Sequence, residues 1–291
     1  MSEDYPKTSF ELVGSPAVVT GAAQGIGFEI GRQLLDHGAD LVIFDINGEG
    51  AEAARAELAA TFPARTVLVH VGDVAEEADW RACFDLAKAE LGVPRILVNN
   101  ALHNELRPIV RYTVEEWERI FAVISRGTFL GCREIGRRHL EDGLEGPSAV
   151  INLSTLNYSI ATRGLAAYCA AKASVSQFTK AAALEYADLG IRVNAIAPGL
   201  VRTPLAERFF GTSPEVPQAF VERTPMRRVG MPIDQARAAV FLAGEASGWI
   251  TGITLNVDGG MHADGVPDNW DLMKGPLGLT DPDPAEWLGA R

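Results

Sequence analysis

Cysteine is scarce: only 3 of the 291 residues, Cys83, Cys132 and Cys169, widely separated and at no metal-ligand spacing. That excludes a disulfide framework and a thiolate metal centre, leaving three reduced, partly buried thiols. Positive charge is also in deficit, with 26 Lys+Arg against 38 Asp+Glu and a formal net charge of −12. A phosphate-backbone footprint needs a basic surface, so no nucleic-acid partner is expected. No apolar run reaches transmembrane length, so no membrane span is expected. The first residues, Met1 to Glu11, are polar and contain no secretory apolar core, so the expected location is the cytoplasm. Repeats, low-complexity tracts and interdomain linkers are missing too, which points to one domain.

What the chain does contain is an alternation. Short apolar runs (Ala17–Val19, Leu41–Phe44, Thr66–Val69, Ile96–Val98, Ala149–Leu153, Ile191–Ile196 and Ile253–Val257) are separated by longer amphipathic segments. The runs are continuously apolar, as strands covered on both faces are. Strands alternating with helices and joined by right-handed crossovers predict an α/β fold. The expected form is a single doubly wound Rossmann-type domain, a seven-stranded parallel sheet flanked by helices on both faces. One long helix is expected across Val114–Leu140 and another across Leu165–Leu189.

The first strand runs into Thr20-Gly21-Ala22-Ala23-Gln24-Gly25-Ile26-Gly27. Glycines are needed there, because side chains would keep a pyrophosphate away from the backbone N–H groups and the positive helix end. Asp45 ends the second strand, 24 residues after Gly21. A carboxylate in that place accepts hydrogen bonds from adenosine ribose hydroxyls and repels a 2′-phosphate, which favours NAD over NADP. Gly72-Asp73-Val74 and Asn99-Asn100-Ala101-Leu102 close the third and fourth strands, where open α/β sheets bind ligands; each is equally consistent with turn chemistry.

Tyr168 and Lys172 lie four residues apart in an alanine-rich helical stretch and project from one face. A phenol ionises near pH ~10. A neighbouring ammonium favours the phenolate, bringing that pKa towards working pH and giving a general acid/base for an alcohol or ketone. Cys169, inside the motif, is read as a packing residue.

With Thr20–Gly27, Asp73, Asn99-Asn100-Ala101, Tyr168/Lys172 and Pro198-Gly199 in this order, the chain resembles the short-chain dehydrogenase/reductase family. The likeness runs from about Gly14 to Gly260 and ends on Asn256-Val257-Asp258-Gly259-Gly260. It implies a nicotinamide-dependent oxidoreductase moving a hydride between cofactor and a secondary alcohol or ketone: a cyclic alcohol, dihydrodiol, sugar or steroid-like compound. Tyr168 would donate and accept the proton, and Lys172 would lower its pKa and hold the nicotinamide ribose. The family's substrate-binding serine, 13 residues before the tyrosine, falls on Thr155, with Ser154 beside it as the alternative donor. The implied cofactor-binding set is Gly21, Gln24, Gly25, Ile26 and Gly27, then Asp45, Ile46, Asp73, Val74, Asn99 and Ala101. Tyr168 and Lys172 belong to it, with Pro198, Gly199, Val201 and Thr203 around the nicotinamide amide. No metal is implied. The resemblance also implies a homodimer or homotetramer built on the two long helices.

Two positions depart from the family pattern. Leu102 stands where a glycine is usual, and Ile124 where the family carries a catalytic Asn that supports a proton relay to the lysine. A catalytically weak NAD(H)-sensing protein is therefore the competing reading. Residues 200–228 form a long, proline-broken segment expected to be a substrate lid, whose Arg202, Arg208, Arg223, Arg227 and Arg228 either face solvent or meet an anionic group. The catalytic domain is taken as 1–260. The extension 261–291 carries Trp270 and Trp287 and is expected to dock as a strap rather than stay in water.

Overall fold

The computed structural model describes residues 9–144, 146–210 and 215–264. Seven parallel strands form one sheet in the order β3-β2-β1-β4-β5-β6-β7. They are β1 (Ala17–Thr20), β2 (Leu41–Asp45), β3 (Val67–Val71), β4 (Ile96–Asn99), β5 (Ser148–Leu153), β6 (Ile191–Pro198) and β7 (Thr254–Val257). Strands β1 to β3 build outward in one direction. The chain then crosses back to place β4 against β1, with Val18 flanked by Val42 and Leu97. The order reverses between β1 and β4, so a crevice opens above their carboxyl ends, the place where such sheets bind ligands.

Both faces of the five central strands are covered, which is why these read as continuous apolar runs. Val19, Ile43, Val98 and Ile151 pack with α1 (Gly25–Asp36), α2 (Gly48–Thr61) and α9 (Pro232–Ala243). The alternate residues Val18, Val42, Phe44, Leu97 and Val150 pack on the other side with α3 (Glu77–Glu90), α5 (Gly127–Asp142) and α6 (Ala166–Tyr186). Successive side chains of a strand point to opposite faces, so each strand supplies both layers. Each fully buried Val, Leu, Ile or Phe contributes about 1.5–3 kcal/mol.

The long helix expected over Val114–Leu140 is present and runs to Asp142, with one π-helical turn inside it. Helix α4 (Val114–Phe121) begins at a capping box, Thr113 with Glu116, then passes through a π-helical segment, Ala122–Arg126, into α5. The π-turn accommodates one extra residue, and such bulges recur beside functional sites. Here it turns Ile124 inward to 1 % exposure and lets Ser125 reach across to Ser174 of α6, with Oγ–Oγ at 2.7 Å. The segment expected as a lid contains α7 (Pro204–Phe210) and α8 (Glu215–Glu222), its two ends zipped by the Val201–Gly230 bridge. Of the expected strap, only Met261–Asp264 are described: His262 stacks on Tyr158, ring centres 5.8 Å apart. Trp270 and Trp287 lie outside the described residues.

Candidate active site

The crevice is a cleft of about 590 Å³ bounded by the β1–α1 turn, the ends of β2, β3 and β4, and the start of α7. It opens into a smaller cavity of about 200 Å³ at Tyr168, the two sharing Ile26, Asn100, Leu102, Thr203 and Leu205.

The turn after β1 is as tight as glycine permits. Gly21 and Gly25 have φ of +64° and +63°. A Cβ on Gly27 would lie 2.4 Å from Gly21 O, closer than any side chain tolerates. Helix α1 starts at Gln24 in extended backbone, without a side-chain cap and without an acidic residue in its first turn. The backbone donors of this helix end have no capping side chain, and Gln24, Gly25 and Ile26 line the cleft. That donor set suits an anionic diphosphate. The turn is held from β4: Thr20 Oγ1 accepts from Asn100 N and Ala101 N, at 2.9 and 3.0 Å. Asn100 Nδ2 in turn donates to Thr20 O and Gly21 O, at 2.9 and 3.0 Å.

Asp45, Ile46, Asp73, Val74 and Ala101 also line the cleft. Asp45 accepts from Ala23 N and Asn47 N, each at 3.0 Å, and a carboxylate has further lone pairs for ribose hydroxyls. Burial works to raise the Asp73 carboxyl, but the bond from Ala75 N and the Arg119 guanidinium at 2.8 Å outweigh it and hold it below its usual range. Asn99 stands apart. Its side chain is turned away from the cleft, donating to Asn152 Oδ1 at 2.8 Å beneath α5, and Asn100 lines the cleft instead. The period of β4 explains this, since Asn99 shares a face with Leu97. The adjacent pair Asn99-Asn100 carried the signal; only the strand's end decided which of the two faces the ligand.

In the smaller cavity stand Ser154, Thr155, Tyr168, Lys172, Pro198, Gly199, Val201 and Thr203, the last lying over Gly25. Thr155 lines the cavity with Tyr168, and its hydroxyl favours the ionised phenol. Ser154 points the other way, with its hydroxyl on Lys172 O at 3.2 Å and Ser176 Oγ at 2.8 Å. Lys172 is 2 % exposed; its Nζ donates to Leu153 O and sits 5.9 Å from the centre of the Tyr168 ring.

The electrostatics run opposite to the expectation of an ammonium acidifying a phenol. Burial pushes Tyr168 up to about 12, against the lowering effect of Thr155, and burial pushes Lys172 down to about 7. Lys172 is buried and Tyr168 half-buried among apolar neighbours, and desolvation disfavours whichever form is charged. In this state the phenol is a held acid. Two thiols are likewise kept protonated: burial raises Cys83, and raises Cys132 to about 12 despite hydrogen bonds to Asn152 and Asn99.

Ile124 packs in an apolar cluster with Ile120, Ala167, Ala171 and Tyr168. Its carbonyl already accepts from Thr128 Oγ1 at 2.7 Å, a bond that residue types alone did not announce. The lid arginines Arg202, Arg227 and Arg228 bond to Glu207, Glu222 O and Asp234 of their own chain. Among the described residues there is no cluster able to hold a metal ion, and no helix is long and apolar enough to cross a membrane.

Comparison with known proteins agrees with this geometry. The family model described as enoyl-(acyl carrier protein) reductase matches residues 21–262. The chain is 41% identical over 254 residues to 3beta-hydroxysteroid dehydrogenase 1 of Eggerthella lenta, covering 86% of this chain and 95% of that one. It is 37% identical over 256 residues to D-threitol dehydrogenase of Mycolicibacterium smegmatis, covering 86% and 94%. Among solved structures, a gluconate 5-dehydrogenase from Burkholderia cenocepacia in complex with NADP and tartrate superimposes with a TM-score of 0.80 at 33% identity, covering 88% and 98%. With the strand order, the glycine turn and the Tyr168–Lys172 cavity in one cleft, the chain belongs to the short-chain dehydrogenase/reductase family of nicotinamide-dependent oxidoreductases.

Proposed function

We propose that the protein is an NAD-dependent dehydrogenase or ketoreductase of a secondary alcohol, with Tyr168 as its general acid/base. The observation that carries this is the cavity that Thr155 and Tyr168 line together beside buried Lys172, where it joins the cleft. The bound nicotinamide supplies the two-electron redox chemistry. The protein's part is to bind, orient and move one proton. Thr155 and Tyr168 together hold the substrate oxygen. In reduction the phenol gives its proton to that oxygen; in oxidation the phenolate takes it back. Lys172 spends one N–H on Leu153 O and keeps others for the ribose hydroxyls. Gly21 and Gln24–Gly27 receive the diphosphate, Asp45 and Ile46 the adenosine ribose, Asp73 and Val74 the adenine.

NAD is favoured over NADP because a 2′-phosphate would lie against the Asp45 carboxylate, and Ile46 and Asn47, which follow it, carry no positive charge. NADP in the Burkholderia relative belongs to that protein. Exposed Val114, Trp117 and Phe129 on α4 and α5 support a helix-paired homodimer, or a tetramer built from two. The test is NADH absorbance during incubation with a panel of secondary alcohols. Tyr168→Phe should cost ~10²–10⁴-fold in rate with cofactor affinity kept; an unchanged rate removes Tyr168 from the chemistry.

One observation favours a weaker relative of this reading, an NAD(H)-sensing protein with little turnover. The Ile124 carbonyl is occupied by Thr128 and no side-chain amide stands beside it. Tight NADH binding without turnover of any alcohol or ketone would select it.

A further inference from the structure

The chain leaves β7 through a turn on which three other segments meet. The Asp258 carboxylate shapes that turn, accepting from Gly260 N at 2.9 Å and from His262 N at 2.8 Å. Gly199, in the wall of the cavity at Tyr168, approaches it so closely that a Cβ would lie 3.0 Å from Asp258 Cβ. Gly259 O accepts from Met226 N at 3.1 Å. A Cβ on Gly259, whose φ is +65°, would come within 2.7 Å of Thr224 Cγ2. The turn therefore holds the far end of segment 200–228 against β7.

Its third contact reaches the acid/base. His262 stacks on Tyr158 with ring planes 6° apart and centres 5.8 Å apart, and His262 Nδ1 lies 3.3 Å from Ser159 Oγ. Tyr158 and Ser159 stand in the loop that joins Thr155 to α6 and Tyr168. Tyr158 N donates to Thr155 O at 2.9 Å, so a shift of this residue passes directly to the backbone of Thr155. At the other end of the loop Gly164 O accepts from Arg107 N at 2.8 Å, just before α6 begins. Segments distant in sequence thus hold the loop at both ends, and the catalytic pair flanks it. Side chains that act together need such outside support when a loop separates them.

We propose that His262 and Tyr158 are positioning residues for Thr155 and Tyr168. Their stack ties the chain after β7, and with it the end of segment 200–228, to the loop between the catalytic pair. The proposal rests on the dehydrogenase reading above for what Thr155 and Tyr168 do. Tyr158 and His262 are not among the described residues that line the cavity or the cleft, so they act on the reaction through the loop. An offset stack is worth about 2- to 10-fold in an equilibrium, which sets the size of the effect.

The experiment uses the full chain, parent and variants. It combines steady-state kinetics with NAD and the fastest alcohol of the panel, NADH titration, and amide hydrogen exchange of residues 156–165 without cofactor. His262→Ala and Tyr158→Ala should each lower kcat/KM for the alcohol about 2- to 10-fold and speed exchange in the loop by a similar factor, with the Kd of NADH unmoved. The double variant should lose no more than either single one, because both remove the same contact. His262→Phe keeps a ring on Tyr158 and should restore the parental values, which a general loss of stability would not allow. Losses that multiply in the double variant, no rescue by phenylalanine, or exchange and kcat/KM unmoved in both alanine variants would overturn the proposal. A parent that binds NADH but turns over no alcohol or ketone, with exchange still faster in the alanine variants, would remove the dehydrogenase reading and leave the tie between the two segments standing.

Discussion

Replacing Lys172 by methionine should make the protein more stable at pH 6.5 and lose that advantage as pH rises. The lysine folds into a site where burial pushes its pKa down to about 7. In the unfolded chain an ordinary lysine holds its proton to about pH 10.4. Between those values the unfolded state binds more protons than the folded one, so unfolding free energy increases with pH. The penalty is fully present below pH 7 and relieved as pH approaches the unfolded value. Each pH unit in that window is worth about 1.4 kcal/mol, so pH 7.5 to 9.5 spans about 3 kcal/mol. Losing the bond from Nζ to Leu153 O adds an offset that does not depend on pH. Tyr168 does not interfere: raised to about 12, it removes stability only as pH rises above about 10. Urea unfolding of parent and Lys172→Met, at equal protein concentration and without cofactor, reads this directly. Free energies differing by a constant from pH 6.5 to 9.5 would refute the desolvation argument, and with it the account of why the phenol is not acidified.

Three other outcomes follow from the same geometry. Asp45→Ala should bring the dissociation constants for NAD and NADP together by at least about tenfold, read by fluorescence titration; unaltered selectivity would show that the carboxylate does not choose the cofactor. Asn100→Ala removes the donor to Thr20 O and Gly21 O and should cost about 1–3 kcal/mol in thermal unfolding while weakening NADH binding, because the glycine turn loses its brace. Ile124→Asn puts an amide into a cluster that now excludes water. It should lower stability by about 1–3 kcal/mol and, if turnover is limited by proton supply to Lys172, raise kcat; a lower kcat would show that the dry wall itself is needed.

Legibility differed from one part of the molecule to another. The strands were readable because the five central ones are covered on both faces and leave a continuous apolar mark. The glycine turn was readable because only that residue type allows Gly27 to approach Gly21 O. Asn99 was assigned to the cleft on its place at a strand end, yet it lies under α5, since two adjacent asparagines do not reveal which points up. The π-turn inside the long helix was invisible, because Ala122–Arg126 has ordinary helical composition and the turn is held from outside, through Ser125 and Ser174.

By itself the amino-acid order determined what is local and periodic: alternating elements, the glycine turn and two side chains on one helical face. Charge state was not among these. Whether Lys172 acidifies Tyr168 depends on how much water reaches them and what else surrounds them, quantities that belong to residues far apart in the chain. Tertiary packing buried Lys172, half-buried Tyr168 among apolar side chains, and reversed the expected shifts.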